Sequence, residues 1–155
     1  MKLKRIGTLK TLRQYEKALL EDVLPRYIAK AGVDERPQEI LSQIRLECHN
    51  PFFFAAVALD NSDRPVGFFI AFVQITLLGK RLYIDHVYMP NVTDNVRIYE
   101  IVRDKLGVDS VLWLTHRNPE AWVKMFARYG HKIELHGYVL RTVQNTDEFG
   151  KEKED

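Results

Sequence analysis

The chain has 155 residues, 46% of them hydrophobic and 28% charged, with a formal charge of +2. That size suits one domain with a full core, and the near balance of charge excludes the clustered positive field of a dedicated nucleic-acid binder. Cys48 is the only cysteine, which excludes an intramolecular disulfide and a cysteine-based zinc cluster.

Lys2 to Leu9 reads as a short first strand. The basic start has no apolar signal-peptide core behind it, and the most apolar stretch, Val66 to Leu78, is shorter than the roughly 18 residues of a membrane span. A soluble, cytoplasmic domain is expected. Thr11 and Gln14 have the spacing of a capping box, and Leu12, Tyr15, Leu19, Val23 and Tyr27 recur at helical intervals behind them. Pro25 must kink or divide that helix, because it lacks an amide donor. Gly32 is a natural stop. A second helix opens at Pro37, carries Ile40, Leu41 and Ile44, and ends before Asn50 and Pro51.

Phe52 to Leu59 is a continuous apolar run, suited to a strand buried on both faces. The turn formers from Asp60 to Pro65 join it to a long strand, Val66 to Leu78. After a tight turn at Gly79 and Lys80, Arg81 to Met89 forms the next strand. Its alternation sends Leu82, Ile84, His86 and Tyr88 to one face and Tyr83, Asp85, Val87 and Met89 to the other. Pro90 ends it. The polar segment Asn91 to Asn95 leads into a helix with Ile98, Ile101, Val102 and Leu106 inward and Gly107 at its end. Ser110 to Thr115 is a further strand. Asn118, Pro119 and Glu120 give a helix its cap, its first-turn proline and its first-turn acid, and Trp122, Met125, Phe126 and Tyr129 line that helix up to Gly130. Ile133 to Val143 reads as a last strand. The order is β-α-α-β-β-β-α-β-α-β in one α+β domain over residues 1–143, with a polar, disordered tail over 144–155.

That order resembles the GNAT superfamily of acetyl-CoA-dependent N-acetyltransferases over nearly the whole chain. Two segments carry the resemblance. Ile84 to Pro90 is similar to the family's fourth strand, which ends in a hydrophobic residue, any residue and Pro. Asn118 to Gly130 is similar to its later helix, which has an aromatic residue four before a Gly. The resemblance implies a mixed, mainly antiparallel central sheet flanked by helices. It also implies acetyl-CoA as cofactor and a small-molecule or protein amine as substrate.

Two departures stand beside it. The family holds the coenzyme A pyrophosphate in a loop of the form Arg/Gln-x-x-Gly-x-Gly/Ala, whose backbone N–H groups must approach the phosphates closely. Here the corresponding residues run from Thr93 through Asp94, Asn95, Val96 and Arg97 to Ile98, and no glycine occurs between Lys80 and Leu106. Many members also protonate the leaving thiolate with a Tyr at the position that is Phe126 here, which has no proton to give. The resemblance places the pantetheine arm along the backbone of Val87, Tyr88 and Met89. It assigns Thr93, Asn95, Val96, Arg97, Ile98, Asn118 and Phe126 to the cofactor's surroundings.

His86, Asp85 and His116 are the candidate bases for taking a proton from an attacking amine. Each has an ordinary alternative: His86 packed against its neighbours, Asp85 paired with Arg81 or Lys80, and His116 in the approach to the last helix. Cys48 reads as a half-buried thiol. No metal site is expected, because the five histidines never fall at i, i+4 on one helix. The competing function is a non-catalytic GNAT-like binding or accessory protein that has lost coenzyme A and engages a protein partner. Small divergent GNAT-like proteins encoded by bacteriophages are similar in style.

Overall fold

A computed structural model describes residues 1–113 and 118–134. The expected last strand, the tail over 144–155, and His116 lie outside the described residues, apart from Ile133 and Glu134 at that strand's start.

The described chain runs β1 (Lys2–Arg5), α1 (Leu9–Ala18), a π-helical segment (Leu19–Val23), α2 (Leu24–Ala31), α3 (Pro37–Glu47), β2 (Phe53–Leu59), β3 (Pro65–Thr76), β4 (Gly79–Tyr88), α4 (Asp94–Leu106), β5 (Ser110–Trp113) and α5 (Pro119–Ala127). Its five-stranded sheet follows chain order. The first four strands are antiparallel neighbours, and β5 returns parallel to β4 after the α4 crossover. The fold is therefore α+β with a mainly antiparallel sheet.

Pro25 divides the first helical stretch as expected. The preceding segment widens so that the Leu24 amide reaches the Leu19 carbonyl, which accommodates a proline without an N–H. Gly32 closes α2 in the left-handed region at φ 66°. The start of α1 differs from expectation. Thr8 is the cap, its side chain accepting from the Thr11 amide at 3.1 Å, so Thr11 belongs to the helix and β1 is correspondingly short.

Each sheet face has its own core. Leu12, Leu19, Val23, Leu24, Ile40 and Ile44 of the first helices pack on Phe53, Val57, Phe68 and Ile70. On the other face Ile98 and Val102 of α4 pack on Phe54, Phe69, Leu82 and Ile84. Every residue of β2 is buried, which is what its unbroken apolar run requires between two helical layers.

The regular alternation expected of β4 does not hold. Ile70 of β3 pairs with His86 while the next residue, Ala71, pairs with Ile84, leaving Asp85 as an extra residue. This β-bulge shifts the side-chain phase by one. Leu82 and Ile84 join the α4-side core together with Met89 and Val87, whereas Tyr88 packs against the core of the first helices, where His86 meets Tyr27 of α2. Gly67 keeps β3 and β4 close beyond the bulge: a Cβ there would overlap the Tyr88 carbonyl and lie 2.7 Å from Met89 Sδ.

Candidate functional site

The bulge gathers polar groups from three elements. His86 is buried, with its side chain 5% exposed, and its Nδ1 lies 2.9 Å from the Tyr27 hydroxyl. Its Nε2 lies 3.6 Å from Glu35 Oε1, on the loop between α2 and α3, and 3.6 Å from Asp85 Oδ2. Neither distance is a hydrogen bond, and among the described residues this buried Nε2 has no hydrogen-bond partner. Gln43 of α3 donates from Nε2 to Asp85 Oδ2 at 2.9 Å. The ordinary pairing of Asp85 with Arg81 or Lys80 is thus replaced by a bond to the facing helix α3, because Asp85 lies on the sheet face opposite Ile84, and the bulge brings His86 to that same face.

Aromatic rings hold His86 in place. Phe68 stands 6.5 Å from it and meets Tyr27 edge-on at 5.1 Å. Burial, and then the negative charge of Glu35 and Asp85, push the Tyr27 phenol well above its ordinary value of 10.0. Tyr27 therefore stays a neutral partner of the imidazole throughout the physiological range. Burial and Asp85 raise the Tyr83 phenol as well. The sequence picks out His86 and Asp85 but not Tyr27, Glu35 or Gln43. Tyr27 reads there as one apolar position of a helix, and Glu35 as one acid among many in a turn.

The start of α4 is built differently. Thr93, the residue before the helix, already has helical backbone angles and makes no side-chain cap. The amides of Asp94, Asn95 and Val96 donate to the carbonyls of Asn91, Val92 and Thr93 at 3.1, 3.2 and 3.2 Å. The Thr93 amide donates to Asn91 Oδ1 at 3.2 Å. An anion at a helix N-terminus needs amides that are otherwise unmatched, and here the loop's own oxygens have taken them. Val96 and Ile98 are both 1% exposed, turned into the core. Arg97 points outward, and Asp94 places an acid in the first turn. Asn95 Oδ1 is buried without a partner among the described residues, but it is an acceptor and cannot greet a phosphate. As built, this turn does not fit the diphosphate of coenzyme A.

The remaining candidates are dispersed. Met89 is 2% exposed and belongs to the α4-side core. Val87 and Tyr88 are partly exposed and pair with Phe69 and Phe68 of β3. Asn118 caps α5, its side-chain oxygen accepting from the Glu120 amide at 3.0 Å. Phe126 is buried in an aromatic cluster with Trp113, Trp122 and Tyr99, at 5.5, 6.1 and 5.6 Å between ring centres. His131 joins that cluster and lies 2.7 Å from Glu100 Oε1 through its Nε2. Cys48 is buried rather than half-buried, at 3% exposure. Among the described residues no helix is long and apolar enough to cross a membrane.

Several solved structures similar to this chain are acetyltransferases by description. One, a probable acetyltransferase, shares 14% identity at a TM-score of 0.66, with 92% of this chain and 99% of that chain covered. The ribosomal-protein-alanine N-acetyltransferase of Brucella melitensis biovar Abortus 2308 shares 15% identity at a TM-score of 0.60, covering 92% of this chain and 100% of that one. An aminoglycoside acetyltransferase from an uncultured soil metagenomic sample shares 13% at 0.53, covering 92% and 100%. No protein-family model and no curated protein sequence matches the chain. The chain has a GNAT-like fold.

Proposed function

We propose that this protein is a GNAT-like N-acetyltransferase, with acetyl-CoA as donor and a small-molecule or protein amine as acceptor. The observation that supports it is the bulge at Asp85, which presents Asp85 and the buried His86 to the loop between α2 and α3. Charged and hydrogen-bonding groups collected at one point are what taking a proton from an amine requires. In this reading His86 and Asp85 serve the acceptor side, with His116 as a further candidate base. The α4 turn does not fit a diphosphate, so no step is derived through the cofactor. A donor of this kind would have to be held by other contacts, among them the backbone of Val87 to Met89.

One observation favours a second reading: the amides that begin α4 are matched internally. On that basis the protein is a non-catalytic GNAT-like binding or accessory protein with a protein partner, and coenzyme A is no ligand. Calorimetric titration with acetyl-CoA and with desulfo-CoA separates the two. The transferase reading expects a Kd of about 100 μM or tighter, equivalent to roughly 5.5 kcal/mol. No heat and no thermal stabilisation at millimolar ligand overturns it in favour of the second.

A further inference from the structure

Exposed apolar side chains gather at one end of the sheet, where β3 turns into β4. Ile75 is 66% exposed, Leu77 107% and Leu78 93%, and Phe52, just before β2, is 51% exposed. At this end β3 outruns β2. Their pairing stops at Phe53 and Phe72, and a last bond runs from the Val73 amide to the Phe52 carbonyl at 2.7 Å. Beyond it β3 has β4 on one side only, with Ile75 opposite Lys80 and Thr76 opposite Gly79. The Val73 amide points to the β2 side, so the N–H and C=O of Ile75, two residues on, point there too. Among the described residues no backbone group pairs with them on that side.

The β1 edge of the same sheet shows what a protected edge looks like. Lys2, Lys4 and Arg5 are all exposed there, and cations on an edge strand keep other strands from adding to it. The β3 overhang has no such device. From Phe72 to Gly79 it carries neither a charge nor a proline, and the amine of Lys80 is turned away toward the Leu106 carbonyl at 3.4 Å. An uncharged edge meets its own copy without repulsion. At about 200 Å² for a large side chain in full exposure, Phe52, Ile75, Leu77 and Leu78 present roughly 600 Å². With the backbone between them this approaches the ~800 Å² per copy of a standard interface.

We propose that the β3 overhang is a self-association edge, on which a second copy of this chain pairs antiparallel about a twofold axis at Ile75. Ile75 then stands opposite Ile75, Gln74 opposite Thr76 and Val73 opposite Leu77. The two Ile75 residues exchange N–H···O=C bonds, and the contact is isologous. Phe52 is level with Val73 in the register, so it shares a sheet face with Ile75, and the leucine turn of the second copy covers it. The pairing is independent of the acyl-transfer reading.

Sedimentation velocity of the full chain across its concentration range tests the pairing. A reversible monomer–dimer equilibrium is expected, with a Kd on the order of 10 μM for an interface of this size. Ile75→Lys sets two like charges against each other at the axis and should weaken Kd by about 10-fold or more. Leu77→Asp combined with Leu78→Asp should do the same, whereas Lys4→Gln on the β1 edge should leave Kd unchanged. Deuterium exchange at the wild-type Ile75 amide should slow as the dimer fills, which contact through the leucines alone would not cause. The proposal is overturned if the wild type stays monomeric, if Ile75→Lys leaves Kd unchanged, or if exchange at Ile75 is indifferent to concentration. A monomer that instead sediments with phosphatidylglycerol vesicles through Leu77 and Leu78 gives the turn to a lipid surface, and overturns it too. Ile75 is exposed, and an unchanged circular dichroism spectrum of Ile75→Lys establishes that the fold is intact. The aspartate double variant, confined to the turn, carries the test if Ile75→Lys does not fold.

Discussion

The His86 cluster and the turn from Asn91 to Val96 lie within a few residues of each other, yet they handle their polar groups in opposite ways. At the cluster a buried nitrogen faces two carboxylates without a hydrogen bond. At the turn three successive amides of the first helical turn are matched by loop carbonyls, and a fourth by the Asn91 side chain. A ligand site keeps polar groups unmatched so that the ligand can match them. A closed turn does not. On that physical criterion the cluster keeps an unmatched polar group, and the turn leaves no free amide for a diphosphate.

The sharpest way to break this comparison is to try to reopen the turn. Val96→Gly combined with Ile98→Gly supplies the missing glycines, but both side chains are buried. The double variant should lose about 3 kcal/mol or more, from the cavity left by Ile98 and from glycine in a helix. Urea unfolding measures that loss. The same variant should show no gain in acetyl-CoA affinity by calorimetry, and a gain would mean that the side chains rather than the matched amides close the turn.

A smaller effect tests the cluster. Tyr27→Phe leaves His86 Nδ1 buried without its partner and should cost about 1–3 kcal/mol. If urea unfolding shows no loss, the Tyr27 hydroxyl is not what holds the ring. Since Phe keeps the packing against Phe68, any loss reports the hydroxyl alone.

The smallest effect concerns the helix that carries Gln43. Glu39 accepts the Arg36 amide at 2.6 Å at the start of α3, and that bond lowers its carboxyl below the ordinary value of 4.5. The folded state thus holds this proton less tightly than the unfolded chain. The stabilisation is complete above the ordinary value and fades as pH falls through the lowered one. Wild type should lose more Tm than Glu39→Gln between pH 6 and pH 3, and parallel losses would remove Glu39 from that role. Asp60, lowered by the Arg64 amide, titrates over the same acid range in both proteins and cancels in the difference.

Much of the fold was legible in the sequence because its causes are local. Pro25 has no amide to donate, Gly32 tolerates a positive φ, Pro37 suits a first helical turn, and seven consecutive apolar residues fit a strand buried on both faces. His86 and Asp85 were legible as candidates because their chemistry is written in their side chains. Cap positions were less so: Thr8 and Thr11 compete for one role, and only the path of the preceding strand favours Thr8.

The site itself was a matter of tertiary structure. Alternation along β4 is a local rule, and it failed at Asp85 because the bulge depends on how β3 pairs with it. Tyr27 is joined to His86 across 59 residues of chain and Gln43 to Asp85 across 42, separations that no spacing rule reaches. The closed turn before α4 was half visible. Its lack of glycine was plain in the sequence, whereas the matching of each amide to a loop oxygen follows from backbone angles that side-chain identity alone does not set. The sequence determined which groups were available for chemistry, and the packing of sheet on helices decided which of them stand together.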